Sequence, residues 1–126
     1  MQNFALVCAG GALGAGARFL VNTAALQMMG PGFPWGTWLV NIVGSFLMGL
    51  VAQYVLMRTG LSLGAKLFLM TGVLGGFTTF SAFALDVGLL VERDEMLAAA
   101  AYVITSVSGA ILALFAGQWV MRSALG

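Results

Sequence analysis

The chain has no histidine, a single cysteine, two prolines and few charges, five Lys or Arg against four Asp or Glu in 126 residues. Each shortage excludes something. Without His or a second Cys the usual zinc, haem and iron–sulfur ligand sets cannot be assembled, and Cys8 has no internal disulfide partner. A formal charge of +1, with no Lys/Arg cluster, offers no basic surface to nucleic acid or to acidic lipid head groups. There is no nucleophile–base pair, no nucleotide motif and no carboxylate in the first apolar run. The start, Met1-Gln2-Asn3, lacks the positive region of a secretory signal and no small-residue cleavage site follows, so the first apolar segment is expected to stay in the mature chain.

What remains is apolar: 61% of the residues, with a mean hydropathy of +1.04. The solvent for such a chain is the lipid bilayer. At about 20 residues per crossing, the length allows four helices with short connections in one transmembrane domain. They are expected at about 4–27, 35–57, 67–91 and 96–121. The run Gly30-Pro31-Gly32-Phe33-Pro34 stops the first, Arg58-Thr59-Gly60 with Lys66 separates the second from the third, and Glu92-Arg93-Asp94-Glu95 precedes the fourth.

The third segment does not suit a regular helix, because Gly72, Gly75, Gly76, Thr78 and Thr79 fall at its middle. Broken backbone at that depth is tolerated only inside protein or against a wet cavity, and carbonyls freed there are ligands for a hard cation such as Na⁺. A kink satisfied by Thr and Ser side chains is the alternative. Phe77, Phe80 and Phe83 at i, i+3 and i+6 are read as one helical face. Rings presented edge-on can receive an anion weakly, as conduction requires, although such a stripe also serves ordinary packing. Neutral donors inside the spans, among them Asn41, Tyr102, Thr105 and Ser106, can replace an anion's hydration shell or bond between helices. Arg18 and Asp86 are expected toward the ends of their helices.

Small residues at four-residue spacing, Gly10 and Gly14, Ser45 and Gly49, Gly72 and Gly76, then Gly109, Ala113 and Gly117, allow close helix packing. Counting Arg58, Lys66 and Arg122 on one side against Arg18 and Arg93 on the other leaves little positive-inside bias. Insertion in both orientations is then possible, and a chain too small to enclose a pore alone is most simply completed by a symmetric dimer.

The stretch Gly75-Gly76-Phe77-Thr78-Thr79-Phe80-Ser81-Ala82-Phe83 resembles the GG-x-TTFS-x-F signature of the small fluoride channels known as Fluc or CrcB proteins. Gly11 to Arg18 resembles that family's helix 1 signature. Trp35 to Asn41, followed by Gly44, resembles its helix 2 signature, so the likeness covers essentially the whole chain. The resemblance implies an all-α membrane protein of four transmembrane helices, the third broken, forming an antiparallel dual-topology homodimer in the bacterial plasma membrane. It implies passive fluoride conduction through two pores around a central structural Na⁺. Carried over by position, the backbone carbonyls of Gly75 and Thr78 would bind Na⁺, Phe80 and Phe83 would present ring edges, and Asn41 would orient or bind the ion. Thr79, Ser81, Tyr102 and Ser106 would form a polar track, with Arg18 matching a helix 1 arginine. Ala110 stands where some relatives are expected to carry serine. Pairing of identical chains and pairing with a sister protein of opposite orientation both stay open.

Two rival readings remain. A proton-coupled drug exporter of the small multidrug resistance type needs a carboxylate in helix 1, and none is present. A membrane assembly subunit without transport would have no use for the glycine–threonine–phenylalanine run at mid-span.

Overall fold

The computed structural model describes all of residues 1–126, and every regular element is helical. Helix α1 spans Gln2–Met29 and ends at Gly30, whose φ of 77° lets the chain turn sharply. Helix α2 follows at Trp35–Met57, with Pro34 immediately before its first turn. The fourth crossing, α6, is Met96–Leu125. All four crossings are long and apolar enough to span a membrane.

The third crossing, Leu63–Glu92, is interrupted. It opens with α3, Leu63–Lys66, capped by the Ser62 hydroxyl accepting from the Ala65 N–H at 3.1 Å. It continues through a π-helical stretch, Leu67–Leu74, and a closing turn α4, Gly75–Phe77. After three non-helical residues α5 resumes at Ser81–Glu92. The crossing thus begins four residues before the position expected from hydropathy, because Ser62 provides a cap that Gly64 and Lys66 had obscured.

Packing divides the bundle into two parallel pairs. In the first, α1 lies against the π-helical stretch with backbones almost touching. A Cβ at Gly10 would stand 2.5 Å from the Phe68 carbonyl oxygen and one at Gly76 2.7 Å from that of Gly11. In the second, α2 lies along α6, with Gly49 against the Leu114 carbonyl and Gly117 against that of Phe46. The small-residue rows therefore serve contacts within one subunit, where dispersion between close backbones replaces the absent hydrophobic drive. A small core of Phe83, Leu90, Ala99 and Tyr102 joins α5 to α6. Only 17 residues are buried, and large apolar side chains face outward on every crossing, the arrangement expected where hydrocarbon is the solvent.

Candidate functional site

The break falls at Thr78, Thr79 and Phe80, where Thr78 turns to an extended conformation. Its hydroxyl donates back to the Leu74 carbonyl at 2.9 Å, beside the Thr78 N–H bond to the same oxygen at 3.1 Å. Two helical termini now lie at membrane depth, and their polar groups need partners. Asn41 of α2 supplies two of them: its Nδ2 donates to the Thr79 carbonyl at 2.9 Å and its Oδ1 accepts from the Thr79 N–H at 2.8 Å. The Thr79 hydroxyl in turn accepts from the Ala82 N–H at 3.2 Å and starts α5. Arg18 Nε donates to the Gly76 carbonyl at 3.0 Å, placing a cation at the negative end of the first half-helix. This corrects the placement of Arg18 toward the end of α1, because the freed carbonyl draws the side chain to the break.

The carbonyls of Gly75 and Thr78 lose their ordinary helical donors. The donor that would normally reach Gly75, the Thr79 N–H, is turned to Asn41. The Ala82 N–H, which would reach Thr78, goes to the Thr79 hydroxyl.

Beside the break opens a cavity of about 420 Å³. Its wall includes Asn41, Gly75, Thr78, Thr79, Phe80, Phe83 and Ser106, seven of the candidate site residues, and also Ser45, Val107, Ala110 and Ile111. No charged side chain lines it. Phe80 and Phe83 lie with ring centroids 5.5 Å apart, tilted by 41°. Phe83 is buried whereas Phe80 is 78% exposed, so one ring is fixed in the subunit and the other projects from it. The Ser106 hydroxyl is buried without a hydrogen-bond partner. Ser81 is exposed and outside the cavity wall.

The expected stripe of three phenylalanines is not formed. The break lies between Phe77 and Phe80, so helical periodicity does not carry across, and Phe77 packs against Gly44 instead. The hydroxyl row on α6 is also divided. Thr105 donates to the Ala101 carbonyl at 2.7 Å and accepts from Trp38 Nε1 at 3.1 Å, whereas the fully buried Tyr102 donates to Asp86 Oδ2 at 2.9 Å. Asp86, expected toward the end of its helix, borders the α1–α2 loop there and has its carboxylate part-buried on Tyr102. The Tyr102 ring stands between Phe83, at 5.1 Å, and Phe33, at 5.4 Å and nearly perpendicular. Beyond this group lies a second cavity of about 390 Å³, walled by the α1–α2 loop, Asn22, Thr37, Asp86 and Arg93.

These features define a small four-crossing membrane protein with neutral donors and aromatic rings gathered at a broken third helix. A family model described as CrcB-like protein, Camphor Resistance (CrcB) matches residues 5–118, and the chain belongs to that family. It is 54% identical over 125 residues to the fluoride-specific ion channel FluC of Chelativorans sp., covering 99% of this chain and all of the relative. The fluoride-specific ion channel FluC of Mesorhizobium japonicum is also 54% identical, with 98% of each chain covered. FluC 2 of Nitrobacter hamburgensis is 50% identical over 96% of this chain and 98% of its own.

Proposed function

We propose that this chain is a fluoride-selective passive channel of the bacterial inner membrane, letting the ion leave the cytoplasm down its gradient. The observation that carries the reading is the uncharged cavity at the break, where the rings of Phe80 and Phe83 meet the unbonded hydroxyl of Ser106. Ring edges and neutral donors can replace water around a small anion without holding it as a full countercharge would. Thr79 and Asn41 border the same path; one hydrogen of the Asn41 amide remains after its bond to Thr79. Tyr102, bonded to Asp86 behind Phe83, is outside the cavity wall and would join the path only beyond that ring.

The same cavity opens on an uncovered face that exposes Gly75 and Phe80. Two copies in antiparallel orientation would cover that face and form two pores. The residues suit a Na⁺ ion between them: the carbonyls of Gly75 and Thr78 are hard oxygen donors released from helical bonding. Na⁺ bound there would supply a fixed positive charge between the two breaks. Arg18, tied to Gly76, supports the break from behind.

Liposomes holding the purified protein, loaded with fluoride or with chloride, test the reading. Rapid loss of fluoride with chloride retained is expected, and Phe80→Ile or Phe83→Ile should lose most of that flux while the dimer stays folded. Retention of fluoride by the unaltered protein would remove the channel reading; normal flux through both variants would return the rings to packing.

A further inference from the structure

Hydroxyls within a membrane helix commonly bond back to the carbonyl one turn earlier. Thr23, Thr78 and Thr105 do so here, at 2.9, 2.9 and 2.7 Å. Ser45 and Ser106 do not, and both line the cavity at the break. The Ser106 oxygen is buried and unpartnered, so a polar group aimed at this space is waiting for something the chain itself does not provide.

Along α6 the cavity wall runs from Ser106 to Ala110, one turn apart, and the hydroxyl row stops there. Along α2 it runs from Asn41 to Ser45, again one turn apart. The two helices are parallel and hold a steady offset: Trp38 bonds Thr105 67 positions further on, and a Cβ on Gly109 would meet Ile42 across the same interval. Ser45 is therefore level with Leu112, ~3 Å along the axis from Ala110.

We propose that Ser45 is a fluoride ligand, the donor to which the ion passes from Ser106 as the polar row crosses from α6 to α2. This rests on the channel reading above and extends it to one more residue. The Ser45 hydroxyl stands where Ala110 leaves the α6 wall without a donor, so a desolvated anion meets no apolar gap one turn beyond Ser106.

The test is a hydroxyl transposition, with fluoride efflux from liposomes as the readout and gel filtration as the check on assembly. Ser45→Ala is expected to slow fluoride efflux about fivefold, the factor one neutral hydrogen bond is worth. Adding Ala110→Ser is expected to recover most of the loss, which a merely structural serine would not allow. Ser45→Cys, of similar size but a poor donor, is expected to behave as Ser45→Ala and guards against a packing artefact. Unchanged efflux in Ser45→Ala or Ser45→Cys, or a loss that Ala110→Ser does not repair, overturns the assignment of Ser45. If the unaltered protein shows no fluoride efflux, it is the channel reading itself that fails.

Discussion

At the scale of the residue, Asn41 is the side chain on which most depends. It is a single amide from α2 that answers both a donor and an acceptor of Thr79, at 2.8 and 2.9 Å, at membrane depth. Asn41→Ala would leave two main-chain groups unpaired in a low-dielectric setting, at a cost of about 1–3 kcal/mol each. Asn41→Asp keeps an acceptor for the Thr79 N–H but sets a carboxylate against the Thr79 carbonyl. Thermal unfolding in detergent should show both variants markedly less stable, and efflux should be lost in parallel because the break carries Phe80. An Asn41→Ala variant as stable as the parent would mean that the break holds itself. Asn41 was legible as a polar residue alone on an apolar stretch, but its two partners were not, since they lie 38 positions away on a non-helical segment. The same holds for Asp86 and Tyr102, joined across two helices.

At the scale of the element, the third crossing depends on its fit to α1. Its π-helical stretch is wider than an α-helix and fits only because glycines on both sides remove side chains from the contact. At Gly14 an added Cβ would overlap the Val73 carbonyl, a main-chain atom that cannot step aside. Gly14→Ala should therefore destabilise the fold by about 1–3 kcal/mol, as overpacking does. Gly88→Ala, where nothing lies within 4 Å in the subunit, should gain up to about 1 kcal/mol from helix propensity. A pair of melting curves in detergent distinguishes the two, and equal behaviour would contradict the close packing. Apolar runs and the Gly-Pro loop made the four crossings readable, and adjacent glycines and threonines marked the break. The π-helical stretch left no such mark, because nothing in the apolar run Leu67–Leu74 separates it from an α-helix. Phe77 was assigned to the wrong face because the break at 78–80 interrupts the helical period between it and Phe80.

At the scale of the whole molecule, the charge count changes once Arg18 is found at the break. Arg58, Lys66 and Arg122 remain near one face, against Arg93 alone near the other. Three against one is a slight bias, so charge supports dual insertion less well than it did when Arg18 was counted with Arg93. The stronger support for a two-fold pair is now the uncovered face, where Gly75, Phe80 and the mouth of the polar cavity would otherwise meet hydrocarbon. A cysteine placed at Gly60, in the exposed α2–α3 loop, with Cys8→Ser as background, reports orientation directly. If identical chains pair antiparallel, about half of the molecules in sealed vesicles should react with a membrane-impermeant maleimide, and the rest only after permeabilisation, as two-fold pairing requires. Labelling that is complete or absent before permeabilisation would fix a single orientation. An antiparallel homodimer would then be excluded, and the uncovered face would have to be closed by a sister protein inserted the other way.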